Sequence, residues 1–251
     1  MVLNRKDLLG LRGMTRAELE EILDTAQEMK SILLSDVKKA SYLQGKSMVT
    51  LFYENSTRTR FSFELAAKYL GAHTASVAVS SSSVAKGESL IDTGKTIESM
   101  GVDVIVVRHP MSGAPHLLAK HISASVINAG DGINEHPTQA LLDMFTIKQK
   151  KGNFEGLKVA IIGDILHSRV ARSNIWGLTT MGAEVRVAGP PTLMQPDIEK
   201  MGARVFYRVE DAIKGADVVM GLRLQRERQQ KGLLPSLREY TSLFGITEER
   251  M

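Results

Sequence analysis

The sequence contains no cysteine in its 251 residues. It can therefore form no disulfide, offer no thiolate nucleophile and build no cysteine-based zinc site. No apolar run approaches the roughly 20 residues of a membrane-spanning helix, and the N-terminal stretch lacks the apolar core of a secretory signal. A cytoplasmic location is therefore expected.

Two glycine-rich nucleotide motifs are also missing. The strand-to-helix segment at residues 52–64 lacks the Gly-rich run and the Gly-Lys-Ser/Thr ending of a P-loop. The predicted strand 158–163 leads into a turn where a dinucleotide fold would need Gly-x-Gly-x-x-Gly, and only Gly163 is present. A bound dinucleotide is therefore not expected.

The composition that is present is that of an ordinary globular protein, with 43% apolar and 24% charged residues. The length suits one large domain or two small ones. The formal net charge of +4 suits an anionic substrate. Nucleic acid would also suit a basic chain, but the basic residues are scattered and no aromatic–basic RNA motif occurs.

Apolar runs alternate with amphipathic or capped segments along the chain. Strands are predicted at 48–53, 74–79, 102–107, 124–128, 158–163, 184–188, 204–207 and 218–222, and helices at 15–35, 58–70, 89–100, 113–121, 136–150, 168–181, 196–201, 209–214 and 235–244. This order predicts an α/β fold of two doubly wound parallel-sheet domains, residues 1–135 and 151–251, joined by the helix 136–150. Ligands of such sheets bind beyond the carboxyl ends of the strands.

One of these strand ends is rich in hydroxyl and guanidinium groups. The predicted strand Met48–Tyr53 is followed by a turn, Glu54–Ser56, and a helical pattern begins at Thr57. Free N–H groups and the positive end of the helix dipole meet there, and Arg58 and Arg60 add charge that can bind phosphate. The pattern predicts an anion site. The alternative is an ordinary N-cap with exposed arginines.

Two further strand ends of the first domain carry candidate residues. Arg108 follows the strand 102–107 and is placed to reach the same anion. His136 follows a Gly-rich loop, and Gln139, three residues later, shares its face of a helix that Pro137 can begin. An imidazole donor and an amide could together hold a carbonyl and an NH2 group. The alternatives are a surface arginine and a structural histidine.

The second domain offers a separate group of polar residues. Arg169 lies near a helix start after Gly163, and Arg223 and Gln225 follow the strand 218–222. Because Arg223 and Gln225 are two residues apart, they point the same way in extended backbone.

A serine-rich loop containing Ser82 and Lys86 follows the strand 74–79. By itself, such a loop is typical of a solvated connection.

Taken in order, these motifs resemble those of the carbamoyltransferases. The resemblance rests on Ser56–Arg60, Arg108-His109-Pro110, His136–Gln139 and the Lys86 loop, and on Gly163 through Arg169 and Arg223–Gln225, which are similar to aspartate-binding segments. Ornithine carbamoyltransferases share the first-domain motifs but lack a Ser/Lys loop of this form and the Arg-x-Gln pattern. An enzyme of the ornithine type therefore ranks second.

The resemblance implies a role for each motif residue. Carbamoyl phosphate would be bound by Ser56, Thr57, Arg58, Thr59, Arg108, His136 and Gln139, of which Arg58, Thr59, Arg108 and His136 would be catalytic. L-Aspartate would be bound by Lys86, Arg169, Arg223 and Gln225. Ser82 and Lys86 would enter the site from a neighbouring subunit of a homotrimer. No metal and no cofactor are implied.

The implied reaction is carbamoyl transfer to the α-amine of L-aspartate, a step of de novo pyrimidine biosynthesis. The amine itself attacks the carbonyl carbon, so no side-chain nucleophile is needed. The residues alone also leave open a different class of protein, an anion- or nucleic-acid-binding module without catalysis.

The sequence departs from the family pattern at its C-terminal end. Family members carry a further His-Pro-x-Pro loop and closing strands and helices, whereas the His-Pro pairs here are at 109–110 and 136–137. The second domain is therefore expected to be incomplete, with an exposed edge strand.

Overall fold

The computed structural model of the chain describes residues 3–78, 87–225, 233 and 236–251. The chain forms two compact units, one comprising Met1–Gly10 and Glu20–Thr138 and the other Leu11–Leu19 and Gln139–Met251. Of the helices within the described ranges, none has both the length and the apolar composition of a bilayer-spanning segment.

Helices and strands alternate along both units. The first series is α1 (Arg16–Leu34), β1 (Ser47–Phe52), α2 (Thr57–Tyr69), β2 (His73–Ala78), α3 (Leu90–Ser99), β3 (Val104–His109), α4 (Ala114–Ala119), β4 (Ser125–Asp131) and α5 (Pro137–Lys151). The second is β5 (Lys158–Ile162), α6 (Arg169–Thr180), β6 (Glu184–Ala188), β7 (Ala203–Phe206), α7 (Val209–Ile213), β8 (Val218–Gly221) and α8 (Leu237–Phe244). Each strand lies where an apolar run predicts one.

The first sheet has the strand order β2-β1-β3-β4, with every pairing parallel. Apolar residues of its strands are buried on both faces. On β1, Leu51 packs in one apolar cluster and Met48 in another, while on β3 Val107 and Val106 divide in the same way. A sheet buried on both faces needs near-continuous apolar strands, which is why the sequence showed runs rather than alternation.

The second sheet has the order β7-β6-β5-β8 and is also parallel throughout. Its central strand β5 contributes Ala160 and Ile162 to a cluster with Val209 and Ala212 of α7. Within the described residues β8 pairs only with β5, so it forms one edge of the sheet. The predicted α/β class and parallel pairing are confirmed.

Local signals at helix starts also hold. Thr15 and Glu18 form a reciprocal capping box at the start of α1, with Glu18 N–H donating to Thr15 Oγ1 at 3.3 Å and Thr15 N–H donating to Glu18 Oε2 at 2.8 Å. Pro137 is the first residue of α5, as its position predicts.

The bounds of several elements differ from the prediction. β3 and β4 continue past residues 107 and 128, because His109 pairs with Asp131 beyond an irregularity in the register. The helix predicted at 196–201 is a single 3-10 turn, Ile198–Met201, held short by left-handed backbone at Asp197 and Gly202. A second 3-10 turn at Pro191–Leu193 has no counterpart in the prediction.

Candidate functional site

The strand order places a topological switch point in the first sheet. β1 and β3 are neighbours, yet the chain leaves them toward strands on opposite sides, β2 and β4. The loops after β1 and β3 therefore diverge and leave a crevice where ligands of such folds bind. These two loops carry the segment from Glu54 to Thr59 and the pair Arg108-His109.

The N-terminus of α2 lies at this switch point and is open to a ligand. Ser56 occupies the N-cap position, but its side chain makes no capping bond. The first intrahelical bond is Arg60 N–H to Ser56 carbonyl, at 3.2 Å. Among the described residues, nothing accepts from the N–H groups of Thr57, Arg58 or Thr59, so they can hold an anion.

The charges of this first turn oppose the helix dipole. The first turn of α2 has no acidic residue and carries Arg58 and Arg60. Positive side chains near a helix N-terminus are unfavourable, because the helix dipole is positive there. The Arg60 side chain lies 3.8 Å from Glu64 and stacks on Phe61 at 5.6 Å. The Arg58 side chain is exposed and has no hydrogen bond or ion pair among the residues that the structure describes. A bound anion would offset this unfavourable concentration of positive charge.

Arg108 is held rigidly beside α2. Its Nε donates to Glu54 Oε2 at 3.1 Å, and its Nη1 donates to the Ala129 carbonyl at 3.3 Å. Its own carbonyl accepts from Tyr53 N–H at 2.8 Å, which joins the ends of β1 and β3. The guanidinium is thus fixed by Glu54, three residues before α2 begins, a contact that the sequence did not predict.

His109, the neighbour of Arg108, is a structural histidine. Its ring packs against Tyr53 with centroids 4.5 Å apart, and its Nδ1 accepts from Met111 N–H at 3.0 Å. Burial lowers the pKa of His109, so the imidazole is neutral near pH 7.

A buried carboxylate, Asp131, organises the turn that leads to His136. Asp131 is fully buried and accepts from Asn128 Nδ2 at 2.8 Å, Gly113 N–H at 2.6 Å and Glu135 N–H at 3.1 Å. Several donors offset the cost of burying a charge. This role of Asp131 was not predicted, although an Asp between two glycines at a strand end is a signal for it.

His136 follows this turn directly. It is 7% exposed, and its Nδ1 lies 3.4 Å from Thr138 Oγ1. If the Thr138 hydroxyl donates to Nδ1, the neutral ring carries its proton on Nε2, which is then a hydrogen-bond donor.

Gln139 lies in the first turn of α5. Its Nε2 donates to Asp143 Oδ1 at 3.0 Å. Asp143 also accepts from Asn174 Nδ2 at 2.8 Å, and burial raises its pKa despite these two bonds. The amide oxygen of Gln139 is the end left to accept from a ligand.

The second sheet has its own switch point, between β5 and β8. Leu222 N–H donates to the Ile162 carbonyl at 2.8 Å, which extends the pairing past both strands. Gly163 has φ +133, and a Cβ there would lie 3.0 Å from the Leu222 carbonyl oxygen. The glycine therefore permits the loops after β5 and β8 to approach each other closely.

A second buried carboxylate, Asp164, ties these two loops together. It accepts from His167 Nδ1 at 2.9 Å in its own loop and from Gln225 N–H at 3.3 Å in the loop after β8. Burial and the Asp164 charge both raise the pKa of Tyr240, whose hydroxyl lies beside Gly163. Asp164 was also missed by sequence reasoning, because its partners lie far apart in the chain.

The predicted aspartate-binding residues lie on these loops. Arg169 is the first residue of α6 and is only 3% exposed, while Ser168 caps the helix by accepting from Ala171 N–H at 3.1 Å. Arg223 is exposed, and its Nη2 donates to Gln225 Oε1 at 3.3 Å. Arg223 and Gln225 thus point the same way, as their spacing predicts.

Two predicted site residues, Ser82 and Lys86, lie outside the described residues. The other predicted residues fall into two groups: those from Ser56 to His136 lie in the first unit, and Gln139, Arg169, Arg223 and Gln225 lie in the second. The first, around α2 and Arg108, can hold a phosphate and polarise a carbonyl group. The second, around Arg169 and Arg223, can bind carboxylates.

Family sequence models match both parts of the chain. Residues 6–149 match the model described as "Aspartate/ornithine carbamoyltransferase, carbamoyl-P binding domain". Residues 155–251 match the one described as "Aspartate/ornithine carbamoyltransferase, Asp/Orn binding domain".

Individual proteins give the same result. The "Aspartate carbamoyltransferase catalytic subunit" proteins of Acetivibrio thermocellus and Ruminiclostridium cellulolyticum are each 68% identical to this chain over 251 residues. The match covers 100% of this chain and 80% of each relative.

Solved structures extend the similarity to the backbone. Aspartate transcarbamoylase from Trypanosoma cruzi, in complex with carbamoyl phosphate and aspartate, is 30% identical, with a TM-score of 0.86 over 98% of this chain and 81% of that chain. The catalytic subunit of M. Jannaschii aspartate transcarbamoylase is 37% identical, with a TM-score of 0.80 over 95% of this chain and 79% of that chain.

Two serines of the first unit stand at N-cap positions, and because α2 is uncapped their replacement by alanine is expected to affect the free energy of unfolding differently. Ser89→Ala removes the bond that caps α3, from Asp92 N–H to Ser89 Oγ at 3.2 Å, and is expected to lower the free energy of unfolding by about 1 kcal/mol. Ser56→Ala removes no such bond from α2 and is expected to change it by less than about 0.5 kcal/mol. Urea denaturation without phosphate measures both. A loss at Ser56 as large as at Ser89 would show that α2 is capped.

Proposed function

The chain belongs to the aspartate/ornithine carbamoyltransferase family, and from this we propose that it transfers the carbamoyl group of carbamoyl phosphate to the α-amine of L-aspartate. The products are N-carbamoyl-L-aspartate and phosphate. The observation that carries the proposal is the start of α2, where three N–H groups lack partners among the described residues and Arg58 faces solvent.

Phosphate binding is assigned to the open α2 terminus. The N–H groups after Ser56 and the hydroxyls of Ser56, Thr57 and Thr59 offer donors, and Arg58 supplies a charge for the leaving phosphate. Arg108, fixed by Glu54 and the Ala129 carbonyl, supplies a second guanidinium that does not have to reorganise.

Polarisation of the carbonyl group is assigned to Thr59, Arg108 and His136. When the amine attacks, the carbonyl oxygen gains negative charge, and preorganised donors stabilise that charge more than the ground state. A neutral His136 with its proton on Nε2 fits this role, and the Thr138 hydroxyl near Nδ1 supports that tautomer. Gln139 Oε1 accepts from the carbamoyl NH2 group.

Aspartate binding is assigned to Arg169, Arg223 and Gln225, with Lys86 from the loop outside the described residues. Guanidinium groups pair well with carboxylates, and L-aspartate has two. Ornithine carries one carboxylate and a side-chain ammonium, which these cations would repel. The charges therefore favour aspartate, in agreement with the names of the relatives reported above.

The reaction then balances without a side-chain nucleophile. The amine nitrogen forms a bond to the carbonyl carbon, and the bond from that carbon to the phosphate oxygen breaks. The departing phosphate is a suitable acceptor for the amine proton. Holding the two substrates in contact supplies much of the rate by orientation, and the proposed steps use no metal or cofactor.

Further parts of the proposal concern organisation. Residues 1–135 would form the carbamoyl phosphate domain and 151–251 the aspartate domain, with 136–150 as the connecting helix. Ser82 and Lys86 would act on the site of a neighbouring subunit in a homotrimer. The protein would work in the cytoplasm, in de novo pyrimidine biosynthesis.

A colorimetric assay for carbamoyl-aspartate tests the function directly. The chain is expected to form carbamoyl-aspartate from carbamoyl phosphate and L-aspartate, and to form no citrulline when ornithine replaces aspartate. Product from ornithine alone would overturn the choice of substrate. If a folded protein binds carbamoyl phosphate but forms product from neither aspartate nor ornithine, the chain binds an anion without catalysing carbamoyl transfer.

Arg58→Ala is expected to lower kcat by at least about 100-fold, because it removes a charged hydrogen bond that strengthens as phosphate leaves. The matched control is Lys68→Ala, which removes an exposed cation from the other end of α2. Steady-state kinetics measure both, with circular dichroism to verify folding. Near-normal turnover of folded Arg58→Ala would show that the α2 terminus is not the phosphate site.

Arg223→Ala is expected to raise the KM for aspartate by about 10- to 100-fold and to leave the KM for carbamoyl phosphate within about twofold, because its group lies in the second unit. Arg208→Ala, which removes an exposed arginine of the same unit, is the control. An effect confined to carbamoyl phosphate would contradict the proposed division between the units.

A further inference from the structure

We propose that Asp143 is a positioning residue that fixes the orientation of the Gln139 amide, so that the enzyme selects a carbamoyl group over an acetyl group. This inference rests on the proposed function, in which Gln139 accepts from the carbamoyl NH2. It concerns three side chains on α5 and α6, linked by hydrogen bonds in the order Gln139, Asp143, Asn174.

The orientation of Gln139 follows from the chemistry of its partner. An ionised carboxylate only accepts hydrogen bonds, so the amide must turn its NH2 end toward Asp143, at 3.0 Å. Asp143 lies four residues later on α5, one helical turn toward the C-terminus. The Oε1 end therefore faces away from Asp143, and it is the end that can accept from a ligand.

Asn174 fixes the other side of the carboxylate. Its Nδ2 donates both to Asp143 Oδ2 at 2.8 Å and to the Val170 carbonyl at 3.1 Å. A flipped amide would place its oxygen against two acceptors, so this orientation is set. Its own Oδ1 is buried and lacks a partner in the described part of the chain. The structure thus tolerates an unsatisfied buried oxygen, which is normally destabilising, while Asp143 keeps its donor.

The order of these bonds determines what an isosteric change would do. In Asp143→Asn, the new amide oxygen would be directed to Asn174, whose donor cannot turn away. The new NH2 would then face Gln139, and Gln139 would have to reverse and present its own NH2 to the substrate. Two donors would face each other where a carbamoyl group binds, whereas an acetyl group carries only a methyl there.

The test compares the affinities for carbamoyl phosphate and acetyl phosphate, which share the phosphate and the carbonyl group. Calorimetric titration of the full chain at low temperature gives both dissociation constants, and their ratio measures selection for the NH2 group. The wild-type protein is expected to prefer carbamoyl phosphate by about tenfold or more, and Gln139→Ala is expected to lose that preference.

Asp143→Asn is expected to lower the preference for carbamoyl phosphate over acetyl phosphate by about three- to tenfold. It should weaken the binding of carbamoyl phosphate and leave the binding of acetyl phosphate nearly unchanged. Asp217→Asn is the matched control. It makes the same substitution in the same unit, at a carboxylate that accepts from Lys158 N–H at 2.9 Å outside the proposed site, and should keep the ratio. The double change Gln139→Glu with Asp143→Asn restores an acceptor and the net charge, and should recover the ratio.

The outcomes distinguish a failure of the positioning role of Asp143 from a failure of the ligand-binding role of Gln139. If Gln139→Ala loses the preference but Asp143→Asn keeps it, or if Asp143→Asn weakens both ligands equally, the positioning role is wrong and the proposed function stands. If wild type has no preference, or Gln139→Ala retains it, the role of Gln139 in the proposed function is wrong and Asp143 has nothing to position.

A measurement on the wild-type protein tests the contact between Gln139 and Asp143 even if Asp143→Asn fails to fold. The side-chain NH2 signal of Gln139, assigned in nitrogen-15 NMR spectra by its loss in Gln139→Ala, should be shifted by the carboxylate and protected from solvent exchange. A signal like that of a free glutamine would overturn the proposal.

Discussion

Parallel pairing directs the carboxyl end of every strand in a sheet to the same edge, and the candidate site depends on that constraint. In both sheets the first strand of the series lies inside and not at an edge, so the chain reverses direction across the sheet. The loops on either side of each reversal diverge. Arg58 in the first turn of α2 and Arg108 near the end of β3 lie at such a reversal in one unit. Arg169 at the start of α6 and Arg223 just after β8 lie at the reversal in the other. The strand order thus brings candidate residues that are far apart in the sequence to the same edge of each sheet.

In each unit a buried carboxylate stabilises the loops at the strand ends. Asp131 and Asp164 are both fully buried at strand ends, and each is surrounded by N–H donors from segments that must keep a fixed position. An unpaired charge in such a place would be strongly destabilising, whereas a fully hydrogen-bonded one fixes its neighbours. Neither carboxylate has to touch a substrate. In the proposed function, they would contribute by holding the loops that present His136 and Gln225.

The fold was largely predictable because a parallel sheet buried on both faces leaves a direct mark in sequence, a short apolar run such as Met48–Phe52. The ends of β3 and β4 were not, because Arg108, His109 and Gly130 do not read as strand residues and are held by long-range pairing. The chemical types of the candidate residues were visible, but the contacts that orient them were not. Glu54, Asp143 and Asn174 acquire their roles only when separate segments meet, and no local pattern records that.

The two groups of candidate residues provide positive charge by different means. α6 is capped by its own Ser168, so its N–H groups are partly satisfied by the protein. In the proposed function, recognition would therefore fall to the guanidinium groups of Arg169 and Arg223. α2 has no such bond from Ser56, and it carries cations at its positive end, an arrangement that destabilises the empty helix. A phosphate is compact, carries about two charges near pH 7 and can accept several N–H bonds at once, so it suits an open helix end. A dicarboxylate has its charges apart on a flexible chain and is better matched by separate side chains. The difference in capping therefore fits the proposed assignment of a phosphate to the first group of residues and of a dicarboxylate to the second.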